Sequence, residues 1–187
     1  MSYYYFIASL PYVNYGDKPP MSSGEFEEQC KNFLTAGDLA HLRFCKYNPR
    51  LAIETVKSTG SDFVDLLMLR ERNLVLNLAF FRASKLNRAS PGDPPHDMPR
   101  VEAVAKTAIE MENPFDAALF IDRARWGALD EVSSINYFGA NTIFAYLLKL
   151  QLLERKQVFD TIKGTAAYHE LYNTILNEYN SKVKEAL

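Results

Sequence analysis

Apolar residues recur along this chain at spacings of three and four, and the breaks between runs carry residues that start and stop helices. Ser22 with Glu25 has the capping-box pattern, and Phe26, Cys30, Phe33 and Leu34 then fall on one stripe of a helix expected to end near Gly37. Asp38 is placed to cap a second, short helix with Leu39, Leu42 and Cys45 inward, stopped by Asn48-Pro49. After a short segment from Arg50 to Lys57, Ser58-Thr59-Gly60-Ser61 reads as a turn, and Ser61 or Asp62 caps the longest helix of the first half. There Phe63, Leu66, Leu67, Arg70, Leu74, Asn77, Leu78 and Phe81 keep a helical period, and Arg82, Lys85 and Arg88 suit its C-terminal end, expected at Asn87.

Residues 89–99, ASPGDPPHDMP, hold four of the nine prolines, and no helix continues through them. Beyond this linker, Pro99 suits the first turn of a helix carrying Val101, Val104, Ala105 and Ile109, and Asn113-Pro114 supplies an N-cap with proline behind it. The next helix, FDAALFIDRARWGALDEV, is expected to bury Phe115, Leu119, Trp126 and Leu129. A loop at 133–141 leads to NTIFAYLLKLQLLERKQVF, so densely apolar that it reads as a central helix packed on more than one side, ended by Lys163-Gly164. A last helix from about Thr165 carries Tyr168, Leu171, Tyr172, Ile175 and Tyr179. Only residues 3–10 also admit a strand. The pattern therefore predicts an all-α multi-helix bundle, one domain over 1–187, with halves 1–88 and 100–187 around the Pro-rich loop.

The opening run, Tyr3 to Leu10, is aromatic and aliphatic, yet no Lys or Arg precedes it and Pro11 breaks it, so it does not read as an export signal. It reads instead as a first buried element laid against the central helix near Leu148 to Leu153. The following YVNYGDKPP is a turn-rich connector expected to carry Tyr12, Tyr15, Asp17 and Lys18 outward. Those four are the candidate partner contacts, set against a plain surface loop.

A 48% apolar and 24% charged composition is that of a chain that folds, and a net charge of -2 offers no excess of cations for nucleic acid. Charges interrupt every apolar stretch before it is long enough to cross a bilayer, so direct membrane insertion is not expected. Cys30 and Cys45 lie within helical patterns and read as thiols of a cytoplasmic protein.

His41, His96 and His169 are widely spaced and come with no HExxH or CxxC pattern, and the eight glycines form no phosphate-binding loop. No metal, cofactor or catalytic residue is expected. The densest mixed stretch is IDRARWGALDE, where Asp122 and Arg125 share a helix face and Arg123 or Arg125 is placed to lie over Trp126. Two readings follow: an interhelical salt-bridge and aromatic cluster, which is favoured, or a catalytic Asp-Arg pair in a helical cleft.

Taken together, YYYFIASLP, YGDKPP, the capped Ser23-Gly24-Glu25-Phe26 helix start, IDRARWGALDEV and FAYLLKLQLLERKQVFDTIKG carry a likeness to a known group. The chain resembles an uncharacterised bacterial family encoded within V-type ATP synthase operons. In those operons the product takes the place of the synthase's C/d component, an all-helical funnel between the membrane rotor ring and the central stalk. That funnel has three helical subdomains, of which 187 residues supply at most about two. The resemblance implies a non-catalytic torque-coupling or assembly subunit. Its partners would be central-stalk and rotor-ring subunits, and its place the inner face of the cytoplasmic membrane. The alternatives are a free-standing helical adaptor that binds another protein and, third, an enzyme with its site near Asp122 and Arg125.

Overall fold

A computed structural model describes residues 3–47, 58–90, 92–133, 137–158 and 171–175. Packing groups Met1–Glu154 into one compact unit and Arg155–Leu187 into a second. In the second, residues 155–158 and 171–175 are helical, and Leu171, Tyr172 and Ile175 are exposed. The expected stop at Lys163-Gly164, the helix start near Thr165, Tyr168, Tyr179 and the segment Arg50 to Lys57 lie outside the described residues. The protein is all-α, and no strand occurs among the described residues.

The run that admitted a strand is a helix, α1 (Tyr4–Ser9), ended where Leu10 turns extended ahead of Pro11. It buries less than expected: Tyr3 and Phe6 are inside, whereas Tyr4 and Tyr5 are 51% and 88% exposed. Helix α2 (Ser23–Phe33) starts with a complete capping box, the Ser22 hydroxyl accepting from the Glu25 amide at 3.1 Å and Glu25 accepting from the Ser22 amide at 2.8 Å. These bonds hold the Glu25 carboxyl below its ordinary pKa. The helix stops at Phe33, not Gly37, because Leu34 is extended and Thr35 begins a new cap. Thr35, rather than Asp38, caps α3 (Ala36–Leu42), and Asp38 supplies the amide that Thr35 binds.

Helix α4 (Asp62–Lys85) runs 24 residues, about 36 Å at the helical rise. Ser61 makes no side-chain cap. Asp65, one turn in, instead accepts from the Thr59 amide and the hydroxyls of Ser58 and Thr59, tying down the preceding turn. Ser58's hydroxyl first, with Thr59 behind it, lowers the Asp65 pKa. The helix ends at Lys85, and Asn87 follows with a left-handed φ of 51°. Helices α5 (Pro99–Glu110) and α6 (Pro114–Ser133) begin at prolines as expected, with the Asn113 side chain accepting from the Phe115 amide at 3.0 Å.

Helix α7 (Ala140–Val158) is the centre of the fold. Ile143, Leu147, Leu148 and Leu150 are wholly buried, and Phe144, Leu152 and Leu153 nearly so. Around it pack Phe6 of α1, Phe26 and Cys30 of α2, Leu42 of α3, Phe63 and Val64 of α4 and Leu129 of α6. A smaller cluster, Leu74, Val101 and Ala105, joins the far end of α4 to α5. Because α4 serves both clusters, apolar residues surround it. Leu66, expected inside, is 45% exposed, as is Leu69 at 40%. Phe115, also expected inside, is 38% exposed because it sits in the first turn of α6, ahead of the packed part.

Two buried asparagines of α4 hold the proline loop. Asn73 donates to Asp97 at 2.8 Å, and Asn77 donates to the Pro95 carbonyl at 3.2 Å and to the Asn73 carbonyl at 2.9 Å.

Candidate functional site

Asp122, Arg123, Arg125 and Trp126 lie along α6, and each has found a different partner. The Arg125 guanidinium faces α4. Its Nε and Nη2 donate to the two carboxylate oxygens of Glu71 at 2.9 and 2.6 Å, and Nη1 donates to Asp122 at 2.9 Å. The side chains of Arg125 and Glu71 are each 10% exposed and that of Asp122 only 2%. Burial works against the charged guanidinium, but the hydrogen bonds and charge of Glu71, with Asp122 behind them, hold its pKa above the ordinary arginine value. Glu71 carries no signal in its own neighbourhood of the sequence: it stands 54 positions from Arg125 and joins it only when α4 and α6 pack.

The expected stacking on Trp126 is different. Lys149 of α7 lies over the indole at 5.1 Å and bonds Asp130 at 2.6 Å, while Arg123 covers the Tyr15 ring at 5.6 Å and Arg125 the Tyr47 ring at 5.0 Å. Tyr15 is therefore not an outward residue. Its hydroxyl donates to the Leu119 carbonyl at 3.1 Å and its ring meets Trp126 edge-on at 5.5 Å. Burial, then the charge of Asp122, raises the Tyr15 pKa against the opposing pull of Arg123. Tyr12, at 86% exposure, Asp17 and Lys18 do face solvent. The structure thus joins the two sequence-derived groups through Tyr15.

Between α4 and α6 opens a cleft of about 480 Å³, including its mouth. Phe63, Leu67, Met98, Leu129 and Val132 form apolar walls, and Tyr47, Arg70, Glu71 and Arg125 form a polar side. Asp122 is not on its surface. The Tyr47 phenol is pushed well above its ordinary pKa by burial first and by Glu71 second, with Arg125 opposing. A phenol held protonated and a guanidinium clasped by carboxylates are suited to binding; neither supplies a proton acceptor or nucleophile.

Elsewhere, His41 Nε2 meets the Thr59 carbonyl at 3.1 Å and His96 Nδ1 meets Glu102 at 3.1 Å. Cys30 and Cys45 are free, buried thiols, each pushed up to about 12 by burial and then by the charge of Glu27. Among the described residues no three His, Cys, Asp or Glu side chains are grouped to hold a metal, and no helix is long and apolar enough to cross a membrane.

A second feature lies on the surface. Tyr4, Tyr5, Tyr137 and Phe138 are 51%, 88%, 64% and 43% exposed. The Tyr4 ring lies 4.8 Å from Phe138 and 5.5 Å from Tyr5, and the Tyr3 amide donates to the Phe138 carbonyl at 2.8 Å. One aromatic patch of Tyr4, Tyr5 and Phe138 is thereby assembled from the first helix and the turn before α7, with the exposed Tyr137 next to it in the chain.

Residues 93–179 match the model of a family described as a protein of unknown function, DUF2764. That stretch takes in the end of the proline loop, α5, α6 with Asp122 and Arg125 but not their partner Glu71, and α7. Neither a curated protein nor a solved structure matches the chain.

Proposed function

We propose that this protein is a non-catalytic interaction subunit that couples or assembles a bacterial V-type ATP synthase, contacting central-stalk and rotor-ring subunits at the inner face of the membrane. The partners follow from the sequence resemblance. The observation that carries the interaction role is the patch of Tyr4, Tyr5, Tyr137 and Phe138, fixed by a backbone hydrogen bond to a helical frame yet left largely in solvent. Exposed aromatics clustered on a rigid support are what protein interfaces use as anchors, since each brings a large area at little ordering cost. A subunit that transmits force also needs close-packed helices, which the burial of α7 provides.

The test is co-purification from the native host. A tagged chain should bring down stalk and ring subunits, and Tyr5→Ser combined with Tyr137→Ser should release them while leaving the circular dichroism unchanged. Recovery of no synthase subunit with the unaltered chain would refute the reading; stable recovery of one unrelated protein through the same patch would establish the adaptor alternative.

A further inference from the structure

Two groups on the wall of the α4–α6 cleft lack partners. The Tyr47 hydroxyl is fully buried and bonds to no described residue. Arg70, half-buried on α4, makes no hydrogen bond or ion pair with any described residue. Both are donors and both line the same apolar cleft. Buried donors are ordinarily satisfied, so the orphaned Tyr47 hydroxyl, on a cleft that also carries the half-buried Arg70, marks a place where an acceptor belongs.

We propose that this cleft binds a ligand with an apolar body and a carboxylate end, the carboxylate taken by Arg70 and the Tyr47 hydroxyl. Charge selects the class. Arg125 is already taken by both oxygens of Glu71 and by Asp122, which leaves Arg70 as the cation on the cleft wall that no described carboxylate pairs. One cation matches a singly charged carboxylate; a phosphate would bring a second charge into an apolar site with nothing to meet it. The phenol, held protonated by its surroundings, stays a donor throughout the neutral range. The lining agrees: apart from Tyr47 and the three charged groups, the walls are apolar. On the other side of Arg70 and Arg125 lies a smaller recess of about 220 Å³ lined by Leu74, Val101 and Ile121. Arg70 therefore stands between two apolar spaces, as a headgroup anchor does. The inference uses only this cleft and is independent of the ATP synthase reading.

The chemistry has two sources, a free aliphatic acid or the C-terminal carboxylate of an apolar peptide, and one calorimetric titration of the full chain separates them. Octanoate, octanol, a short peptide ending in Leu-Leu, and its C-terminal amide are the probes. The expected result is saturable one-to-one binding of octanoate or of the free-acid peptide, at least about tenfold tighter than octanol or the amide respectively. Octanoate alone identifies a free amphiphile, and the peptide alone a chain terminus. Arg70→Met should weaken the acid about tenfold or more and leave its uncharged counterpart unchanged, and Tyr47→Phe should weaken the acid severalfold. Arg70 makes no hydrogen bond or ion pair with a described residue, so its loss breaks none, and Tyr47→Phe is a second probe that keeps the ring. No saturable binding of either acid at millimolar concentration, or acid binding indifferent to both substitutions, overturns the proposal.

Discussion

Arg125→Met should destabilise this protein more than any other single change among its charged residues. The replacement fills similar volume and keeps the helix, but it takes from the Glu71 carboxylate, at 10% exposure, the cation that both its oxygens bind, and from Asp122, at 2% exposure, one of its contacts. Removing one partner from a buried ion cluster costs about 3–5 kcal/mol, because the remaining charges are stranded away from water. For a chain of this length that is a drop in Tm of about 10 °C. One further readout isolates the cause. In Glu71→Met with Arg125→Met, one charge of each sign is gone, and the double variant should regain about 2 kcal/mol or more over the sum of the single losses. Urea melts of the single and double variants measure both quantities. A loss under about 1 kcal/mol, or simple additivity of the two substitutions, would show that the cluster is not the buried linchpin its geometry describes.

Leu148→Ala, at a site with no exposure, should cost about 2–5 kcal/mol in urea unfolding. Glu154→Ala removes the acceptor of both the Ser23 amide and hydroxyl, at 2.6 and 2.7 Å, and should loosen the start of α2, seen as faster amide exchange over Ser23 to Phe26 without global unfolding. The two thiols, raised in the folded state to about 12, contribute stability that is present below the unfolded thiol pKa and lost between about pH 9 and 12. Alkaline melts of Cys30→Ala with Cys45→Ala should therefore fall less steeply than those of the unaltered chain. A thiol reagent at neutral pH should label neither cysteine faster than the protein opens.

What could be read from the sequence was local. The capping box at Ser22, proline at the first turn of α5 and α6, and the dense apolar run of α7 each act within a turn or two, and each was legible. The same holds for the proline loop as a break. Glu71 was not legible, because a lone carboxylate inside an apolar stripe gives no sign of an arginine 54 positions away. Asn77 sat in the stripe by period, but its partner Pro95 depends on how the loop folds back. Tyr15 illustrates the converse: turn residues around it suggested exposure, yet an aromatic ring with a hydroxyl finds more by closing on Trp126 and the Leu119 carbonyl. The aromatic patch joins the first helix to a turn far along the chain, so the exposed half of α1 looked like core until Tyr137 and Phe138 were placed beside it.

Three polar side chains of α7 reach back to three separate segments of the amino-terminal region: Tyr146 donates to the Pro11 carbonyl at 2.9 Å, Gln151 to the Cys45 carbonyl at 3.0 Å, and Glu154 accepts from Ser23. The helix they share also supplies most of the wholly buried aliphatic side chains. During synthesis, then, the first three helices emerge long before the element that covers their apolar faces and closes their backbone bonds. The helix that seals the core is among the last parts of this chain to be made, and until it arrives the apolar faces of the first three helices stay uncovered and open to aggregation.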